Sequence, residues 1–157
     1  QGNNNAYAQD NEIGWVDWGR SDTKLAAFVA RLIALRKAHR VLRQRRFLHG
    51  KTRAIDALPD VIWRKPDGES PRPEDWHDPA FRCLCVELRR AAEGDLTDGQ
   101  AIFAVFNTGG PVALTLPPTA PRWQLLLDTT RPEAPPAPVS TALEVPAQSV
   151  LVFAPSV

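Results

Sequence analysis

The sequence predicts a mainly-β fold, an antiparallel β-sandwich preceded by a loop and one α-helix. Residues 22–39 carry apolar side chains at helical spacing, and residues 81–157 consist of short apolar runs separated by turn signals. Many of the 15 prolines fall between those runs. Short strands with regularly placed turns are typical of a sandwich. A length of 157 residues fits one ordinary domain, or a domain with an attached piece.

The helix is predicted from its cap, its spacing and its charges. Residues 1–21 show neither helical nor strand periodicity and are expected to form a structured loop. Asp22 is a good N-cap, because its carboxylate can accept the free N–H groups of the first turn. The apolar stripe that follows consists of Leu25, Phe28, Val29, Leu32, Ile33 and Leu35. Arg36, Lys37 and Arg40 lie at the end, where cations favour the helix dipole.

The strands are predicted from alternation and turns. Residues 61–64 form a short apolar run closed by the turn Pro66-Asp67-Gly68. Residues 101–106 are apolar on both faces, as in a covered central strand. Further alternating sets are Leu84, Val86 and Leu88, then Val112, Leu114 and Leu116, then Trp123, Leu125 and Leu127, then Leu143 and Val145. Residues 150–153 complete the set, and residues 132–138 are expected to be a long loop because prolines block strand pairing.

Composition excludes several classes of protein. With 43% apolar and 24% charged residues, gross disorder is not expected. No run of 18 apolar residues predicts a membrane span, and no signal peptide is recognisable. A net charge of +1 provides no strong field for nucleic acid. The absence of methionine and the start at Gln1 lead us to expect a fragment or a processed product.

The two cysteines are expected to be free. Cys83 and Cys85 would point the same way on a strand, at a separation of about 6.6 Å between Cα atoms, which suits a disulfide poorly. No Cys/His spacing typical of zinc accompanies them. Since P-loop, GxGxxG and HExxH motifs are also missing, the sequence predicts no metal site and no cofactor. Free thiols fit a reducing compartment.

The opening loop contains the candidate binding residues. Asp10, Glu12 and Asp17 form an acidic cluster, and a glycosidase needs two carboxylates about 5–9 Å apart. A structural role in loop hydrogen bonding is the favoured alternative. The polar run of Asn3, Asn4, Asn5, Tyr7, Gln9, Asp10 and Asn11 has amides, a carboxylate and an aromatic ring suited to sugar hydroxyls and pyranose faces. A loop that satisfies its own backbone is again the alternative.

A specific resemblance begins at the same loop. Residues 2–18, Gly-Asn-Asn-Asn-Ala-Tyr-Ala-Gln-Asp-Asn-Glu-Ile-Gly-Trp-Val-Asp-Trp, closely resemble a segment of bacterial glycogen-debranching enzymes and isoamylases of the α-amylase superfamily. The likeness continues through residues 32–36, His39, 41–43, 46–50, 60–63, 66–68, 75–76, 126–129 and 149–153. It therefore spans nearly the whole chain. The departures, Ala8, Gly14 and Arg40, remove no group expected in catalysis.

The resemblance implies a division of the chain and an activity for its parent. Residues 1–45 would be the loop and last helix of a (β/α)8 catalytic barrel, and residues 46–157 the C-terminal β-sandwich. The parent would be a cytoplasmic, retaining glycoside hydrolase that cleaves α-1,6-glucosidic branch links of glycogen or limit dextrin. Its catalytic carboxylates would come from earlier barrel strands, so this chain alone is expected to be inactive. Asn5, Tyr7 and Asp10 would then contact substrate or brace the loop.

The partners implied are branched α-glucan and the missing barrel, with no nucleic acid and no membrane. One alternative is a non-catalytic carbohydrate-binding module that uses Trp63, Trp76 or Trp123, although each is favoured as a core or interface residue. Another is an interaction domain based on a basic cluster formed by Arg36, Lys37, His39, Arg40, Arg43, Arg45 and Arg46. A solvated helix face is the favoured interpretation of that cluster. The apolar stripe of the helix is expected to pack on the sandwich or a partner, or to leave an exposed patch.

Overall fold

The computed structural model describes residues 10–12, 14–15, 17–45, 47–52, 57–90 and 101–156. Contacts divide the chain into two compact units, Gln1–Ala34 and Leu35–Val157. Helix α1 spans Thr23–Ala38, and short 3-10 helices span Trp18–Arg20, Arg40–Arg43 and Asp75–His77. The strands are β1 Val61–Arg64, β2 Cys83–Arg89, β3 Ala101–Asn107, β4 Val112–Thr115, β5 Trp123–Asp128, β6 Ala137–Val139, β7 Ala142–Val145 and β8 Ser149–Pro155.

The strands form two antiparallel sheets. The larger has six strands in the order β1-β2-β3-β8-β5-β6, and the smaller pairs β4 with β7. Every strand pairing among the described residues is antiparallel. Over the part of the chain that the structure describes, the predicted mainly-β fold with one α-helix is confirmed. Strand β3 lies inside the larger sheet and five of its seven residues in a row are buried, as expected for a covered central strand.

The main core lies between the two sheets. Leu114 and Val145 of the smaller sheet pack with Phe103, Phe153 and Trp123 of the larger one. Phe103 is tilted against both other rings, with centroids 5.9 Å from Trp123 and 6.1 Å from Phe153. Each fully buried aromatic or aliphatic side chain contributes about 1.5–3 kcal/mol of hydrophobic free energy. This core holds the two sheets together.

A second, smaller cluster lies on the opposite face of the larger sheet, here called the outer face. Val41 packs with Ile102 and Ala154, and Leu42 and Leu88 lie against them. Val41 belongs to the 3-10 helix Arg40–Arg43. The segment that follows α1 therefore lies on the outer face, at the end of the sheet marked by Ile102.

The predicted helix is confirmed, with its cap. The N–H groups of Lys24 and Leu25 each donate to Oδ1 of Asp22 at 3.0 Å. At the other end, the guanidinium of Arg43 donates to the carbonyls of Arg36 and Lys37, which are among the last of the helix. No residue of α1 is buried. The members of its apolar stripe that are exposed are Leu25, Val29, Leu32 and Ile33.

Two local predictions are wrong. A bulge between Leu125 and Leu127 shifts the register, so Leu127 pairs with Val152 and does not share the face of Leu125. Residues 137–138 were expected in a loop but belong to β6, which pairs with β5. Because β6 is an edge strand, no further strand pairs with its outer side, and the missing N–H group of Pro138 is tolerated there.

Candidate functional site

The opening loop is braced by its own side chains. The indole N–H of Trp15 donates to Oδ1 of Asp10 at 2.9 Å, across five residues. The N–H of Gly14 donates to the carbonyl of Asn11 at 2.9 Å, which closes a tight turn beneath this bond. The carboxylate of Asp10 therefore fixes the orientation of an indole ring that is itself 59% exposed.

A second turn presents another indole. The carboxylate of Asp17 accepts the N–H of Gly19 at 3.0 Å and so begins the 3-10 helix Trp18–Arg20. Trp18 is 81% exposed. The described part of the loop thus contains two exposed indoles and a carboxylate. Indole rings can stack on the faces of pyranose rings, and a carboxylate can accept hydrogen bonds from sugar hydroxyls.

The predicted site residues are only partly accounted for. Asn5 and Tyr7 lie outside the described residues, and so do Asn3, Asn4 and Gln9. Asp10 is described, and its hydrogen bond with Trp15 lies within the loop. Among the residues that the structure describes, no three His, Cys, Asp or Glu side chains converge on a possible metal site.

The three candidate tryptophans of the sandwich have different positions. Trp123 is buried in the main core, and its indole N–H donates to the carbonyl of Pro117 at 3.0 Å. Trp63 and Trp76 are about half exposed, and their rings meet edge to face with centroids 6.0 Å apart. Trp76 in turn meets Phe81 at 6.2 Å. Trp63 and Trp76 are therefore surface residues, while Trp123 is a core residue.

A groove opens where β3 ends and β8 begins. Its volume is about 510 Å³, and its lining consists of Phe106, Asn107, Thr108, Thr129, Gln148, Ser149 and Val150. The ring of Phe106 is half exposed. Gln148 has a left-handed backbone, with φ +47°. This lining has aromatic, hydroxyl and amide groups and no charged side chain.

A buried ionic cluster inside the sandwich was not found by the sequence reasoning. Glu87 is fully buried, and its carboxylate accepts from Arg89 and, at 2.6 Å, from the hydroxyl of Thr119. Nη2 of Arg64 lies 3.4 Å from the same carboxylate. The sequence does contain a pattern that could have indicated this cluster. Glu87 lies within an alternating strand, with Arg89 on the same strand and Arg64 on the neighbouring one. The cluster lies in the interior and is structural.

The cysteine prediction is confirmed. Cys83 and Cys85 are free and buried in the main core. A hydrogen bond with Cys83, together with burial, raises the pKa of the Cys85 thiol well above its usual range. A thiol held protonated is a poor nucleophile, so Cys85 serves packing.

Part of the basic cluster also has a structural use. Arg43 donates to the carbonyls at the end of α1, as described above. Burial lowers the pKa of His39, so this imidazole favours its neutral form. These two residues therefore contribute little to a surface for phosphates. Among the described residues, no helix has the length and apolar character needed to cross a membrane.

Known proteins resemble the chain in fold. Pullulanase type I from Bacillus subtilis str. 168, solved with maltose, matches with a TM-score of 0.60 at 20% identity, over 92% of this chain and 18% of that one. No family model matches the sequence. The fold of the chain is therefore that of a mainly-β portion of a longer pullulanase chain.

Sequence relatives define the chain further. A glycogen operon protein GlgX homolog of Mycobacterium tuberculosis (strain ATCC 25618 / H37Rv) is 35% identical over 97% of this chain and 23% of its own length. The glycogen debranching enzyme of Serratia proteamaculans (strain 568) is 31% identical over 85% of this chain and 18% of its own. That of Cronobacter sakazakii (strain ATCC BAA-894) is 41% identical over 48% and 11%.

The chain is homologous to the C-terminal portion of bacterial glycogen-debranching enzymes. It spans 23% of the length of the first relatives that it matches. The resemblance noted from the opening loop is confirmed.

Proposed function

We propose that this chain is part of a debranching glycoside hydrolase that cleaves α-1,6-glucosidic branch links of glycogen or limit dextrin with retention of configuration. The observation that carries the proposal is the 35% identity to a glycogen operon protein over 97% of the chain. The catalytic carboxylates would belong to the larger part of the enzyme. The substrate would be a branched α-glucan, and the enzyme would work in the cytoplasm.

Within that enzyme the chain has two roles. Residues 1–45 would complete the catalytic barrel, and their opening loop would line the substrate cleft through Asn5, Tyr7 and Asp10. The bond from Trp15 to Asp10 supports a bracing role for the carboxylate, because it holds an exposed indole in one orientation. Residues 46–157 would form the sandwich that stabilises the barrel.

The experiment compares the longer protein with the 157-residue chain on glycogen limit dextrin. The longer protein is expected to release linear oligosaccharides, measured as new reducing ends, and to leave linear α-1,4-linked maltoheptaose intact. The 157-residue chain is expected to release nothing from either. Debranching by the chain alone, or none by the longer protein, would contradict the proposal.

A carbohydrate-binding module is the second candidate. The half-exposed rings of Trp63 and Trp76 favour it, since exposed indoles commonly stack on sugars. Titration of the chain with maltoheptaose tests it. A micromolar dissociation constant that is lost in Trp63→Ala would favour the module, and no heat of binding would leave the sandwich as a stabilising domain.

A further inference from the structure

The outer face of the larger sheet exposes a row of apolar side chains, here called the outer strip: Trp63, Trp76, Leu84, Phe106 and Val150. Leu84, Phe106 and Val150 are direct cross-strand partners on β2, β3 and β8. Trp63 pairs with Val86, two residues from Leu84, so it lies on the same face. Trp76 extends the row through its edge-to-face contact with Trp63. The five residues therefore form one strip.

The three aromatic rings of the strip are exposed, and Leu84 and Val150 are part-buried. Trp63, Trp76 and Phe106 are 44%, 49% and 44% exposed. All three are large rings, and none of the five strip residues is charged. Soluble proteins rarely leave a continuous apolar surface of this kind uncovered, and such patches mark interaction sites.

The strip is continuous with a region that the chain itself covers. Val41 and Leu42 pack on the same face, against Ile102 and Ala154. Phe106 lies four residues further along β3 than Ile102. The segment that leads into the sandwich thus occupies one end of the outer face, and the strip is the part of that face beyond it.

The geometry favours a protein surface over a sugar as the occupant. The rings of Trp63 and Trp76 are nearly perpendicular, at 88°, so they cannot both stack on successive sugars of one glucan chain. The hydroxyl of Thr108 donates to the carbonyl of Arg82 at 3.1 Å, and that of Ser149 to the carbonyl of Pro146 at 2.7 Å. These polar groups of the groove are already engaged within the chain.

Asn107 is engaged in the same way, since its side-chain N–H groups donate to the carbonyls of Gly110 and Pro146, both at 2.8 Å. A sugar site needs such groups available for its hydroxyls. An apolar side chain needs only the half-exposed ring of Phe106 and the volume of about 510 Å³ beside it. Aromatic anchors seated in pockets are typical of the centres of protein interfaces.

We propose that the outer strip is the surface on which the rest of the debranching enzyme packs, with an apolar side chain of that portion in the groove beside Phe106. This inference rests on the proposed function. The chain spans only 23% of the length of its longer relatives. In the proposed enzyme, the rest of the same polypeptide could therefore cover the strip. Trp63 and Trp76 are then interface residues.

Hydroxyl-radical footprinting tests the proposal on the wild-type 157-residue chain and on the longer protein. Oxidation of Trp63, Trp76 and Phe106 is expected to be slower by about fivefold or more in the longer protein, because a packed interface excludes water. Leu143, in the smaller sheet, is expected to react equally in both. Equal oxidation of the three rings in the two proteins would overturn the proposal.

A matched pair of variants tests whether the slower oxidation of Trp63 depends on the outer strip. In the longer protein, Phe106→Arg is expected to raise the oxidation rate of Trp63 towards its rate in the chain alone. Thr115→Arg, at an exposed position of β4, is expected to leave that rate unchanged. An equal response of Trp63 to both variants would count against the strip, whereas the wild-type footprint does not depend on whether either variant folds.

Two further outcomes separate this inference from the proposed function. Protection of the strip in a longer protein that does not debranch limit dextrin would support the interface and contradict the activity. Protection of the chain by maltoheptaose at millimolar concentration would identify the strip as a glucan surface and overturn the interface.

Discussion

Glu87 and Arg89, two residues apart on β2, form an ion pair inside the sandwich. The side chain of Glu87 has no exposed surface and that of Arg89 is 8% exposed. Because alternate residues of a strand share a face, both are directed to the same side of the sheet. Arg64 of the neighbouring strand and the hydroxyl of Thr119 approach the same carboxylate. One glutamate therefore joins β1, β2 and the segment after β4.

Removal of Glu87 is expected to destabilise the fold strongly. Glu87→Ala leaves the buried Arg89 and the part-buried Arg64 without their counter-ion, and such a change typically costs about 3–5 kcal/mol. Glu144→Ala, at an exposed position of β7, is the control and is expected to change stability by less than about 0.5 kcal/mol. Urea denaturation followed by circular dichroism measures both. Equal stability of the two variants would contradict the structural role of the cluster.

Asn107 is expected to hold two turns together. Its side chain donates to the carbonyls of Gly110 and Pro146 and accepts the N–H of Gly109 at 3.0 Å, and the residue is buried. Asn107→Ala should lower the free energy of unfolding by about 1–3 kcal/mol, because three backbone groups lose the buried side chain that pairs with them. Asn107→Asp keeps the acceptor and loses the donor. If the Asn107→Asp variant were as stable as wild type in thermal denaturation, the two hydrogen bonds that Asn107 donates would contribute nothing to the stability of the protein.

Asp60 is expected to make stability depend on pH in the acid range. Although burial acts in the opposite direction, the N–H groups of His49 and Gly50 lower the pKa of Asp60 below its ordinary value of 3.8. The unfolded chain therefore takes up this proton first as the pH falls, and the contribution of Asp60 to stability is present above pH 3.8 and lost as the pH falls through the lower pKa of the folded state.

Comparison of wild type with Asp60→Asn measures this contribution. The free energy of unfolding of wild type should fall more steeply between about pH 5 and pH 2 than that of the variant. Parallel curves over this range would show that the two backbone N–H groups do not favour the ionised carboxylate.

In the debranching enzyme proposed above, Asp10 is expected to act through its bond to Trp15. Asp10→Ala should lower kcat/KM for limit dextrin by about tenfold, which corresponds to one hydrogen bond. Asp10→Asn keeps an oxygen that can accept the indole N–H and should retain most of the activity. An equal loss of kcat/KM in both variants would show that the negative charge of Asp10 is needed, as in a direct contact with substrate. No loss in either would remove Asp10 from the site.

Local structure was predictable wherever neighbouring residues determine it. Asp22 caps α1 as expected, because a cap is satisfied by N–H groups two and three residues away. Strand β1 and its following turn were predicted to the residue, and Gly68 adopts φ +90° in that turn. Pro138 was misassigned because proline is excluded from a central strand but tolerated at an edge, and only the sheet order distinguishes the two.

The sequence by itself determined the capped helix, the strands other than β6 and the homology carried by the opening loop. The tertiary structure decided which side of each strand meets the second sheet. Leu84 belongs to an alternating apolar set and Phe106 to a run that is apolar on both faces, yet both lie on the outer face, while Glu87 is in the interior. The physical reason is that periodicity identifies two faces of a strand, whereas burial of one of them depends on partners distant in the chain.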